Sequence, residues 1–201
     1  MPTRWMHSRV PDSLLLHARC SLMAVAPSTF RAIMRRVPSP VVVVTAQGAT
    51  EARGITIGSF ASVALDPPLV SFNVAREARM YDVMQACERF AVHVLGEDQV
   101  HLAKQFAVPD LTSAEQFEAV PHVRDPDGTP VLEGGAAVLR CRPHDAVPAG
   151  DHALHVGRVE AVETRPGDGA VLYYEGSYRG VGSELPSTRL APVNRASSES
   201  S

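Results

Sequence analysis

Two short segments of this chain hold the residues best suited to chemistry. The first runs from Gly54 to Val70: Gly54-Ile55-Thr56-Ile57-Gly58-Ser59-Phe60, then Ala61 to Leu65, then an Asp66-Pro67-Pro68 corner leading into Leu69-Val70. It carries hydroxyls at Thr56, Ser59 and Ser62. Its glycines, Gly54 and Gly58, leave backbone open to close approach by something flat or by another chain. The second segment, Gly150-Asp151-His152, stands directly before an apolar strand. Two arginines, Arg76 and Arg79, lie close in sequence and suit an anionic group, which arginine grips in a bidentate manner.

Other chemistries find less support. No G-x-S-x-G elbow occurs, and Ser59 and Ser62 have no base nearby in sequence. His152 and His155 have the spacing of a helical metal pair, but their segment reads as a strand. There, side chains three apart point to opposite faces. Neither G-x-G-x-x-G nor G-x-x-x-x-G-K-[ST] is present, so a Rossmann or P-loop site is not expected.

The elements that must position these residues follow from periodicity. Phe30, Ile33, Met34 and Val37 recur at helical spacing and predict a helix from Ser28 to about Arg36 with one buried face. Val41 to Thr45 is a β-branched run, hence a buried strand. Further strands are expected at about Gly54–Leu65, Leu69–Val74, Phe90–Leu95, Ala136–Arg142, Leu154–Glu163 and Val171–Tyr174. Helices are expected at Met80–Cys87, where Met80, Val83, Met84 and Cys87 form one face, and at Asp98–Phe106. Residues 108–130 read as a polar, Pro-rich excursion with a helical turn near Ser113–Phe117. Strands of this length and spacing do not make a βαβ series. They predict a mainly β architecture, a closed or partly closed antiparallel barrel with short peripheral helices.

In this order and spacing the segments resemble the flavin reductase family. Gly54, Thr56, Ser59 and Phe60 followed by Asp66-Pro67-Pro68 match its Gly-x-Thr-x-x-Ser-Phe strand and acidic Pro-Pro corner. Phe90-Ala91-Val92-His93-Val94-Leu95 matches a later strand, with His93 where the family usually has Asn. Gln99 and the run Ala103-Lys104-Gln105-Phe106-Ala107 resemble the following helix. Leu132, Gly134, Leu139 and Cys141 match the strand before Gly150-Asp151-His152. The stretch Leu172 to Tyr178 matches the closing strand and turn. The resemblance covers about residues 28–182, leaving 1–27 and 183–201 as expected flexible extensions.

The resemblance implies a six-stranded antiparallel split β-barrel of Greek-key type, paired as a homodimer. It implies an NAD(P)H:flavin oxidoreductase that passes hydride from NADH or NADPH to FMN or FAD, with reduced flavin feeding a partner monooxygenase. By the same resemblance, Thr56, Ile57, Gly58, Ser59 and Phe60 lie along the flavin ring, and Phe106 and Ala107 lie close to it. His152 sits beside the nicotinamide, or is a strand-edge residue tied to Asp151. Tyr178 walls the nicotinamide side or simply closes the barrel. Where the family places Ser or Thr to bind the flavin phosphate, this chain has Ala78 and Met80. Arg76, Arg79 and the N-terminus of the Met80 helix are then left to hold the phosphate, or the two arginines are solvated charges. Two alternatives stay open: a flavoprotein that retains FMN and acts on an organic substrate, and a non-catalytic flavin-binding module.

Composition bounds the partners. The chain has 201 residues, 45% of them hydrophobic, enough for one core. A net charge of −3 offers no basic face for nucleic acid, and no apolar run is long enough for a membrane helix. The three cysteines, Cys20, Cys87 and Cys141, are scattered and form no C-x-x-C pair. Buried free thiols in a reducing cytoplasm are expected.

Overall fold

The computed structural model describes residues 25–165 and 169–184. Cys20 and most of both expected extensions lie outside them. The chain divides into two units, Met1–Arg36 and Val37–Ser201. In the first, helix α1 (Pro27–Met34) starts on a proline at its first position, where the missing N–H costs nothing. Ser28 therefore lies inside the helix rather than capping it. The expected buried face is not observed. No residue of α1 is buried, and Phe30, Ile33 and Met34 all stay exposed.

The second unit is built on β-strands: β1 (Ser39–Pro40), β2 (Val42–Gln47), β3 (Ala52–Ile57), β4 (Ala61–Leu65), β5 (Pro68–Ala75), β6 (Phe90–Val94), β7 (His122–Arg124), β8 (Pro130–Leu132), β9 (Ala137–Ala149), β10 (His152–Thr164), β11 (Val171–Tyr174) and β12 (Ser177–Gly180). Helices α2 (Arg79–Ala86), α3 (Val100–Gln105) and α4 (Ser113–Phe117) flank them. Among the described residues the main sheet has seven strands in the order β3-β2-β6-β9-β10-β5-β4, and every pairing in it is antiparallel. Smaller sheets join β1-β11-β12 and β7-β8.

Six of the seven strands expected from sequence make up these seven strands, while Val171–Tyr174 joins a smaller sheet. The count rises because the segment Gly54–Leu65 breaks at Gly58-Ser59-Phe60. Its two halves, β3 and β4, lie at opposite edges of the sheet. Seven flat strands would separate those edges by roughly 29 Å. Residues 57 and 61 stand at most about 14 Å apart along an extended chain. The sheet must therefore curl until its edges approach each other.

The core follows from strand alternation. Along β2, Val42, Val44 and Ala46 face a cluster with Ile57, Phe72, Val74, Phe90 and the α2 residues Met80, Val83 and Met84. Val43, with Val41 just before the strand, faces the opposite side against Leu95, Leu102, Ala103, Phe106 and Phe117. With both faces covered, β2 reads as a continuous apolar run. Cys87 and Cys141 are free and buried, and burial raises their thiols to about 11 and about 12. His93 is also buried. Its Nε2 lies 3.0 Å from the Thr45 hydroxyl, which donates to the Pro130 carbonyl. Burial first, then the Arg165 and Arg140 charges, lowers this imidazole to about 3.

Candidate active site

The site begins with the edge of β3. In an antiparallel pair, alternate residues turn their N–H and C=O away from the partner strand. On β3 these outward positions are Gly54 and Thr56, with Gly58 next in line. Gly54 is taken by Gln116 of α4, whose side-chain amide donates to its carbonyl (3.1 Å) and accepts from its N–H (3.2 Å). The Thr56 N–H donates to the Phe106 carbonyl (3.1 Å), and its hydroxyl donates to the Ala103 carbonyl (2.7 Å). The Thr56 hydroxyl proton thus helps to dock α3. Gly58 comes after the strand's end, beside a cavity.

Gly54 also acquires a different reason from open backbone. A Cβ on it would stand 2.4 Å from the Phe106 ring, so glycine is required by Phe106, which packs edge-on to Phe117. The nearest atom to a Cβ on Gly58 is Ser39 Cβ, 3.6 Å away, ordinary contact distance.

The Gly58-Ser59-Phe60 break is held from behind. The Asn73 N–H of β5 donates to the Ser59 hydroxyl at 2.9 Å. Across the opening stands the tip of the β9–β10 hairpin, where Gly150 takes a left-handed φ of 64°. His152 follows, paired between Ala149 and Ala75. Asp151 is anchored through its carbonyl, which accepts from Arg76 N–H at 3.0 Å. The Asp151 carboxylate reaches His152 Nδ1 at 2.7 Å, and that hydrogen bond holds the carboxyl below its usual range. His155 lies on the other face of β10, buried and stacked on Phe72 with ring centroids 5.7 Å apart.

Two adjoining cavities result. The first, about 500 Å³, is lined by Ile55, Thr56, Ile57, Gly58, Ser59, Asn73, Ala75, Ala149 and His152. The second, about 350 Å³, shares Ile55 and Thr56 and extends over Arg53, Gly54, Glu77, Ala78, Arg79, Met80, Phe106, Ala107, Val108, Pro109, Asp110 and Gln116. Sizes of this order suit drug-sized and cofactor ligands. The second cavity contains the start of α2, whose N-cap is Ala78 with no side-chain cap. Helix N–H groups uncapped by a side chain make an anion site, and Arg79 stands beside them.

Most residues singled out in the sequence thus converge. Thr56, Ile57, Gly58, Ser59 and His152 line the first cavity, and Thr56, Arg79, Phe106 and Ala107 the second. Three others lie elsewhere. Phe60 packs against the core cluster of Phe72 and Met80. Arg76 is exposed and lines neither cavity. Tyr178 sits on β12, edge-on to Tyr173, and partly covers the other core cluster. Sequence reasoning overlooked Arg53, Asn73, Ala149 and Gln116. Arg53 is buried, ion-paired to Glu51 and bonded to the Leu111 carbonyl. Only the capping box Thr112–Glu115, which starts α4, pointed toward Gln116.

The flavin reductase like domain family matches residues 34–182. The chain belongs to this family. It is 39% identical over 161 residues to the NADH:FMN oxidoreductase of Rhodococcus qingshengii, covering 77% of this chain and 81% of that relative. It is 35% identical over 150 residues to the reductase component of 4-hydroxyphenylacetate 3-monooxygenase from Thermus thermophilus, covering 75% and 93%. Among solved structures, the NADH:FAD oxidoreductase of Streptomyces globisporus superposes with a TM-score of 0.71 at 32% identity, covering 81% of this chain and 91% of that one.

Proposed function

We propose that the two adjoining cavities are the working site of an NAD(P)H-dependent flavin reductase: NAD(P)H, a proton and oxidised flavin give NAD(P)⁺ and reduced flavin, which supplies a partner monooxygenase. The carrying observation is the first cavity itself, which brings the backbone of Gly58, just past the end of β3, and the His152 imidazole into one lining. A flavin bound there supplies the hydride acceptor. Its ring offers polar edges that need partners and apolar faces that need burial. The outward backbone at Gly58 and the anchored Ser59 suit the polar edge, and Ile55 and Ile57 suit the ring's apolar body.

His152 then serves the nicotinamide half by orienting the carboxamide. Hydride transfer needs no general base. It needs the hydride-donating nicotinamide carbon and the accepting flavin nitrogen brought to about 3–3.5 Å and kept away from water. The flavin phosphate falls at the start of α2 with Arg79; the buried Arg53 of the same cavity is committed to Glu51 and the Leu111 carbonyl and serves to hold the wall. Arg76 acts on neither cavity and is a surface charge. Tyr178 closes the β11–β12 edge rather than walling the nicotinamide.

The domain spans 28–182, and its curled sheet closes as a split barrel of Greek-key type. A homodimer covers the exposed apolar side chains Val63, Leu65, Val147 and Val162. The buried free thiols and the use of NAD(P)H support work in the cytoplasm.

The test is His152→Ala. The KM for NADH rises or hydride transfer slows, while flavin affinity stays within about twofold. Loss of flavin binding with normal NADH kinetics would refute the assignment.

A further inference from the structure

We propose that Asp151 is a positioning residue that holds His152 in a single tautomer, with the proton on Nδ1 and the Nε2 lone pair presented to the first cavity. The contact is the 2.7 Å approach of the Asp151 carboxylate to His152 Nδ1. A carboxylate only accepts hydrogen bonds, so Nδ1 carries the proton. A neutral imidazole with Nδ1–H has a bare acceptor at Nε2.

The backbone around the pair favours this arrangement. The Asp151 carbonyl is tied to the Arg76 N–H, and His152 is paired on both sides, to Ala75 and Ala149. Both main chains are thereby fixed, and each side chain has only two torsions left to set. Asp151 itself is 93% exposed and does not line the cavity, so it acts through His152 alone. The His152 side chain is 44% exposed and lines the first cavity. The Asp151 carboxyl is held below its usual range by this same hydrogen bond, in keeping with a formed pair.

A fixed acceptor at Nε2 selects ligands that offer an N–H or O–H. A carboxamide qualifies. A carboxylate in its place would set lone pair against lone pair. Resting on the assignment of His152 to the nicotinamide, the dyad thus gives the reductase a way to recognise the amide of NAD(P)H. Without Asp151 the imidazole divides between tautomers and rotamers. Apparent affinity then falls by the competent fraction, about three- to fivefold if a quarter or so remains competent.

Tautomers are read from nitrogen shifts in protein labelled with ¹⁵N-histidine, recorded at about pH 8.5, above the ordinary imidazole range. The His152→Gln spectrum identifies the His152 signals among the eight histidines. The wild type is expected to show a protonated Nδ1 and an unprotonated Nε2. In Asp151→Ala, both signals move toward a common averaged position. An unchanged pattern in Asp151→Ala, or Nε2–H in the wild type, overturns the proposal. Kinetics on the same variant separate it from the reading it rests on. A rise in KM for NADH of about three- to fivefold, with kcat and flavin KM within about twofold, supports both. Signals that move while NADH kinetics stay unchanged uphold the positioning role and overturn the nicotinamide assignment.

Discussion

Gly54 and Gly58 stand four residues apart in one motif, yet they should fail in opposite ways. In Gly54→Ala the new methyl would lie 2.4 and 2.5 Å from two Phe106 ring atoms. Carbon atoms pack at about 3.5–4.0 Å, so the ring must move by roughly 1 Å or more. Phe106 is 2% exposed and locked against Phe117, and its carbonyl holds the Thr56 N–H. Overpacking of this kind costs about 1–3 kcal/mol. For a chain of this size that lowers Tm by about 2–12 °C.

In Gly58→Ala the methyl meets Ser39 at 3.6 Å, an ordinary contact. Stability should change by less than about 0.5 kcal/mol or rise slightly, since alanine restricts the unfolded chain. Gly58 lines the first cavity, so a methyl there takes space from a flavin seated in it, and flavin affinity should fall at least about fivefold, the low end of an overpacking cost. Thermal melts and flavin fluorescence titrations of both variants decide the matter. A Gly54→Ala protein as stable as the wild type, or a Gly58→Ala protein that loses stability but binds flavin normally, would refute the reasoning.

Two further outcomes are expected. Arg79→Ala should weaken FMN about fivefold or more, the loss of one partly exposed charged contact, and riboflavin hardly at all, while Arg76→Ala leaves both unchanged; equal losses for FMN and riboflavin in Arg79→Ala would count against a phosphate at the start of α2. Stability should fall on the acid side because of His93: burial lowers its folded-state proton affinity to about 3, so below about pH 6.5 the unfolded chain binds the extra proton and gains. This amounts to about 2 kcal/mol between pH 7 and pH 5, read by denaturant melts, and His93→Asn should remove it; an unchanged slope in that variant would contradict a neutral buried imidazole.

Much of the fold was legible because it rests on local signals. The β-branched run at Val41–Thr45 and the helical stripe Met80, Val83, Met84 name their elements and their buried faces directly. The site was legible to a smaller degree. Thr56, Ser59 and His152 stand in a motif, but Arg53, Asn73 and Gln116 reach the cavities only through long-range packing that no local period encodes. The break at Gly58–Phe60 was hidden because Phe60 and Ala61 to Leu65 read as continued strand. Helix α1 shows the reverse case. Its apolar stripe carries the full periodicity of a buried face, yet periodicity says only that a face is apolar, not what covers it. Gly54 taught a similar lesson, since the missing side chain makes room for Phe106 rather than for a ligand.

The most direct measurement of the central claim is NADH oxidation by the purified protein under air, with and without added FMN or FAD. The account predicts loss of NADH absorbance that depends on the flavin and saturates with it. No turnover with either flavin, in a protein that binds neither, would contradict it.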